Sequence, residues 1–172
     1  MRLRTFLLAL FLIIITITTS AYTDKIEDFQ QNGIEKLELE DFTGAAIDFT
    51  RALEKNPNDA ASYNFRGVTK AKKGDFDGSI IDYNKSIDID PKQIEVYNNR
   101  GIAKARTGDI TGSLSDFDAA ITINPSNASA YFNHGMSMDM FGDLATACSD
   151  WKRAVELGDS KSNQFISKNC LY

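Results

Sequence analysis

The chain is poor in the residues that do chemistry. Its 172 residues include one histidine, two cysteines and one tryptophan. Metal centres and activated nucleophiles are built largely from His and Cys side chains, so the raw material for catalysis or metal binding is almost absent. No phosphate-binding glycine loop of the P-loop type, no G-x-S-x-G elbow and no H-E-x-x-H or C-x-x-C pair occurs. The sequence nominates no catalytic residue, no metal ligand and no cofactor, and it points away from an enzyme. Proline is scarce too. Three prolines and eleven glycines exclude collagenous and low-complexity character, while 42% hydrophobic and 25% charged residues fit an ordinary soluble domain that buries a core.

Long apolar runs are missing except at the start. Arg2 and Arg4 precede an apolar-plus-threonine run from Phe6 to Ile17, followed by the small residues Thr18, Thr19, Ser20 and Ala21. This is the layout of a secretory signal peptide, expected over 1–21 with cleavage after Ser20 or Ala21. The run is short of the roughly 20 residues a spanning helix needs; retention as an uncleaved anchor is the alternative. No cysteine stands near the cleavage site to take a lipid. The expected product is exported, periplasmic or secreted, without membrane insertion.

Positive charge is in deficit, with 19 Lys and Arg against 24 Asp and Glu and a net charge of −5. Loss of Arg2 and Arg4 leaves 17 basic side chains against 24 acidic ones, or −7. Such a chain repels phosphate backbones and anionic headgroups, so nucleic acid is not an expected partner.

What is present is a period of 34 residues. All three prolines obey it, at Pro57, Pro91 and Pro125, each preceded by Asn or Asp (Asn56, Asp90, Asn124), a pairing that ends a helix in a turn. The same spacing links Phe29, Tyr63, Tyr97 and Tyr131; Gly33, Gly67, Gly101 and Gly135; and Phe49, Tyr83, Phe117 and Trp151. A fixed period of this length marks a repeat architecture. Four units follow, at 26–59, 60–93, 94–127 and 128–161. Within a unit, apolar residues recur at helical spacing, as for Ile80, Tyr83 and Ile87, and Gly74-Asp75, Gly108-Asp109 and Gly142-Asp143 break the pattern midway. Each unit therefore reads as two helices joined by a tight turn; the first has Glu40-Asp41 at the break. The glycines of the first helices are expected to face Ala45, Ser79, Ser113 and Ala147 on the second, with the aromatics filling seams between hairpins. A segment over 160–172, with Phe165 in register with Tyr131, reads as a capping helix.

These columns resemble the tetratricopeptide repeat family: Tyr63, Arg66-Gly67, Lys70, Ser79, Tyr83 and Pro91, then Tyr97, Arg100-Gly101, Lys104, Ser113, Phe117 and Pro125. Arg66, Arg100 and His134 stand where the family pattern has Leu, and Asp159 replaces the closing proline. The resemblance implies an all-α fold, a right-handed α-solenoid of stacked helix-turn-helix hairpins. Asp48, Asp82, Asp116 and Asp150 keep the period on the second helices, so Arg66 and Arg100 are each expected to pair with one of them in a structural fork. His134, in the same column, reads as a packing and hydrogen-bonding residue.

The resemblance also implies a concave face lined by the first helices, which in this family contacts a protein or peptide partner. Carried onto this chain, that face comprises Gln30, Ile34, Leu37, Asn64, Val68, Ala71, Asn98, Ile102, Ala105, Phe132, Met136 and Met140. Asn64 and Asn98 are expected to bond a peptide backbone, while Met136 and Met140 supply an adaptable surface; the alternative is that the stripe only packs within the superhelix. The Lys, Arg and Asn clamp of chaperone-docking members is not matched. The corresponding residues are Gln30, Ile34, Phe65, Glu95 and Asn99, or one unit later Asn64, Val68, Asn99, Ser129 and Asn133. Cys148 and Cys170 form a disulfide in an oxidising compartment, or else Cys148, which shares a column with Ile80 and Leu114, is a buried free thiol. The functional expectation is an exported, non-catalytic interaction scaffold, with an accessory or inhibitory subunit docking through convex or end surfaces as the alternative. Nothing in the sequence sets the oligomeric state.

Overall fold

The computed structural model describes residues 28–170. The signal segment expected over 1–21 lies outside the described residues. Helix α1 runs through 28–38, and α2 (Phe42–Lys55), α3 (Ala60–Lys72), α4 (Phe76–Ile89), α5 (Ile94–Thr107), α6 (Ile110–Ile123), α7 (Ala128–Phe141), α8 (Leu144–Glu156) and α9 (Ser162–Asn169) follow. No strand occurs among the described residues. The fold is all-α, a solenoid of helix-turn-helix hairpins. The chain divides into two compact units, one ending at Asn58 and the other beginning at Asp59.

The turns follow from local chemistry. Within a hairpin, the first helix ends at a glycine in the left-handed region, Gly108 at φ 89° and Gly142 at φ 98°, where a Cβ is disfavoured. An aspartate then caps the second helix: Asp41, Asp75 and Asp109 each accept a bond from the backbone N–H three residues on, at 2.9 Å, and Asp143 does so from Thr146 at 3.1 Å. After the second helix of a hairpin, the Asn or Asp before each proline accepts a bond from the N–H two residues on (3.2 Å for Asn56, 3.1 Å for Asp90 and 3.0 Å for Asn124), which closes a turn. In the first unit Glu40 occupies the left-handed position at φ 59° without being glycine, the single such residue among those described.

In the first unit, α1 and α2 form one hairpin around the fully buried Ala45, Phe49 and Ala52. In the second unit, α3 packs on α4, α5 on α6 and α7 on α8; each hairpin packs on the next through α4 with α5 and α6 with α7, and α9 packs on α8. The nearest atoms to each first-helix glycine are those of an aromatic ring on the second helix. A Cβ built on Gly33, Gly67, Gly101 or Gly135 would stand 2.6–2.8 Å from the ring of Phe49, Tyr83, Phe117 or Trp151 respectively. The glycine makes room for the aromatic of its own hairpin, and Gly135 also approaches the Ala147 carbonyl. The same ring reaches into the seam between hairpins: Tyr83 packs with Val96 and Ala103 of α5 in a cluster that Val68, Ile80 and Ile87 border.

The last hairpin is closed by α9, whose Phe165 ring lies 5.3 Å from both Phe132 and Trp151. Cys148 and Cys170 are joined, with their Cα atoms 5.8 Å apart. Strict register would carry Cys170 toward the groove. The helix stops at Asn169, so Cys170 leaves the register and meets Cys148.

Candidate functional site: an apolar groove on the first helices

Buried charge fixes the first helices on the second. Arg66 holds Asp82 through two bonds, Nε to Oδ2 at 2.9 Å and Nη2 to Oδ1 at 2.7 Å, and Lys70 Nζ adds a contact at 2.8 Å. Arg100 repeats the fork on Asp116 at 2.9 and 2.6 Å, with Lys104 at 2.9 Å, and its Nη1 donates to Asn84 across to the preceding hairpin at 2.6 Å. Both aspartates are almost fully buried. The pairing expected from the sequence is present, and Lys70 and Lys104 are second partners that the sequence reading did not assign. In the first unit, Lys36 and Arg51 hold Asp48. The hydrogen bond to Asp82 raises the Arg66 guanidinium above its ordinary pKa against the opposing effect of burial. These cations are engaged within the fold, on Asp82, Asp116 and Asn84.

The last hairpin departs from this plan. His134 replaces the arginine and Met138 the lysine. His134 Nδ1 bonds Asp150 Oδ2 at 2.7 Å, while Asp118 Oδ1 lies 3.5 Å from Nε2 in a contact too long for a good hydrogen bond. Burial depresses the imidazole pKa, but the bond and charge of Asp150, helped by Asp118, outweigh it and the net direction is upward.

With their other faces anchored, α3, α5 and α7 present a groove in the second unit. One depression of about 450 Å³ is lined by Val68, Ala71 and Lys72 of α3, Asn99, Ile102, Ala103 and Arg106 of α5, and Phe76 and Tyr83 of α4. A second, of about 350 Å³, is lined by Ile102, Ala105 and Arg106 of α5, Phe132, Asn133, Met136, Ser137 and Met140 of α7, and Phe117 of α6. The two share Ile102 and Arg106 and so adjoin. Burial, with Asp82 beside it, pushes the Tyr83 phenol well above its ordinary pKa, so this part of the floor is uncharged.

The structure thus brings together Val68, Ala71, Ile102, Ala105, Phe132, Met136 and Met140. The two asparagines expected to meet a peptide backbone are placed differently. Asn98 is only 9% exposed, and its Oδ1 has no hydrogen-bond partner; α5 lies between α3 and α7, and this column turns into the seam. Asn64 is half-buried and accepts a bond from Asn99 at 3.3 Å. The asparagines that line the depressions are Asn99, the residue after Asn98, and Asn133, 34 residues beyond Asn99. In the first unit, Gln30 and Ile34 border a shallow depression with Asp28 and Gln31, and Leu37 is half-buried outside it. Sequence reasoning also missed Lys72 and Arg106; their signal was the same period, since they stand 34 residues apart.

Among the described residues, no three His, Cys, Asp or Glu side chains are grouped to hold a metal ion, and no helix is long and apolar enough to cross a membrane.

Residues 69–108 match the family model described as TPR repeat, and residues 94–127 match the one described as tetratricopeptide repeat. No curated protein matches the sequence. Among solved structures, the chain is similar to MamA (TM-score 0.76, 22% identity, 84% of this chain and 80% of that one). It is also similar to the TPR domain of Arabidopsis OM64 (TM-score 0.67, 21% identity, 69% and 98%). The first TPR of Spaghetti (RPAP3), bound to the HSP90 peptide SRMEEVD, aligns with TM-score 0.62 and 26% identity over 64% of this chain and 90% of that one. Residues 69–127 carry tetratricopeptide repeats, and the fold is an α-solenoid, the architecture that the 34-residue period describes.

Proposed function

We propose that this chain is an exported, non-catalytic scaffold that holds a segment of a partner protein in the groove formed by α3, α5 and α7. The observation that carries this reading is the pair of adjoining apolar depressions. Seven residues from three successive first helices line them, while the polar side chains of those helices that face the other way are spent on buried aspartates. Ile102 is 40% exposed and Met140 59% exposed, apolar surface that a bound segment would cover. A domain of related fold, the first TPR of Spaghetti, holds a peptide, which supports the same use here. Export is supported by the leader-like layout of 1–21 and by the Cys148–Cys170 disulfide, a bond that persists in oxidising compartments.

The test is site-specific photo-crosslinking in the source cells, with a benzophenone side chain placed at Met136 or Ile102 and, for comparison, at Ile81, which is exposed on α4. Adducts to one polypeptide from the groove positions, and none from Ile81, are expected. Adducts from Ile81 alone would replace the groove with the accessory-subunit reading. Cell fractionation before crosslinking checks export: recovery of the chain with the cytoplasmic fraction would overturn that part.

A further inference from the structure

Resting on the groove reading above, we infer that the segment held there is acidic as well as apolar. A large apolar side chain of the partner enters the depression between α5 and α7, and neighbouring carboxylates meet Arg106 and Lys72. The first observation concerns which cations are spent. Arg66 and Lys70 are taken up by Asp82, and Arg100 and Lys104 by Asp116. Lys72 and Arg106 each stand two residues beyond the last of these on its helix, about 200° around the axis at 3.6 residues per turn, and so face the groove. Both are exposed, and neither has an acidic partner among the described residues.

The second observation is what accompanies them. Both cations line the larger depression, Arg106 lines the smaller one as well, and no carboxylate lines either. The chain as a whole has a net charge of −5. Two unneutralised cations in a depression otherwise lined by apolar and uncharged polar side chains, within an acidic chain, are complementary to an anion carried on an apolar segment. Arg106 offers the planar fork that suits a carboxylate, and Lys72 a point charge on a longer tether. The floor of the smaller depression, Phe132, Met136 and Met140, is apolar and deformable through its thioethers, and so takes a bulky side chain without demanding one shape.

The experiment is selection of a random dodecapeptide library displayed on phage against the full chain, followed by fluorescence anisotropy with the enriched peptides. Asp and Glu beside Phe, Leu or Met are expected among the enriched sequences. Exposed charge contacts are each worth up to about fivefold in affinity, so the double variant Lys72→Glu, Arg106→Glu is expected to weaken the acidic peptides about tenfold or more. Selection on that variant should turn toward Lys and Arg. Three results overturn the inference: no enrichment on the parent chain, enriched peptides without an acidic excess, or acidic peptides that bind the double variant unchanged. A Met136→Glu variant separates the two readings. If it abolishes binding of enriched peptides that are not acidic, only the charge inference fails. If enriched peptides bind it as well as the parent, the groove itself is not the site. Far-UV circular dichroism establishes that each variant is folded.

Discussion

Replacing Arg100 by methionine tests whether the buried ion pairs are structural. The substitution keeps an unbranched chain of similar reach and deletes the fork on Asp116 together with the Asn84 contact. Asp116 is 3% exposed, so the change strands a desolvated carboxylate. Breaking a buried pair from one side costs about 3–5 kcal/mol. Here Lys104 Nζ remains 2.9 Å from Asp116 Oδ2 and retains part of the compensation, which brings the expected loss to about 2–3 kcal/mol. For a chain of this size that lowers Tm by about 5–10 °C. Urea unfolding should be followed by far-UV circular dichroism and by the fluorescence of Trp151, the single tryptophan, fully buried in α8. Stacked hairpins depend on their neighbours, so the α5 lesion should register at the distant Trp151 as well as in total helicity. The Asp116→Asn partner completes a double-mutant cycle: with both charges gone, the combined loss should fall short of the sum of the single losses by more than about 1 kcal/mol. Additive losses, or an Arg100→Met loss below about 0.5 kcal/mol, the level of an ordinary surface change, would refute the structural role.

Two further outcomes follow from the last hairpin. Because the folded-state pKa of His134 is raised above 6.5, the stabilisation from the His134 imidazolium beside Asp150 is fully present below that value and is lost as pH rises through the folded pKa. The urea midpoint should therefore fall as pH rises above 6.5, and His134→Gln should flatten that slope; an unchanged slope would show that other groups produce it. The Cys148–Cys170 bond closes a separation of 22 residues, which stabilises by about 3 kcal/mol in the chain-entropy model. Reduction should lower the midpoint and, because Phe165 of α9 covers Trp151, shift the tryptophan emission to the red. A reduced protein with native emission would mean that packing alone holds α9.

Much of the fold was legible because its instructions are local. An Asn or Asp before proline, a glycine that accepts a left-handed turn and an aspartate that caps the next helix act over two to four residues, and each recurs at the same offset. The buried pairs were half legible: the aspartate column was visible, yet only the helix pairing could show that Lys70 and Lys104 share it with Arg66 and Arg100. The candidate site was less so. Asn98 satisfies every periodic criterion for a groove residue and is nonetheless buried, because its neighbours on both sides are helices.

The sequence by itself determined the all-α hairpin plan, the 34-residue period and the scarcity of histidine and cysteine, since period, composition and turn chemistry need no neighbour beyond a few residues. The tertiary structure alone decided which rings sit on which glycines, that Cys170 reaches Cys148, and that Lys72 and Arg106 are left unneutralised beside an apolar groove. Each of these depends on distances between residues far apart in the chain. A partner's absence or a side chain's burial is set by what the packing of other helices brings near, and no repeat column carries that.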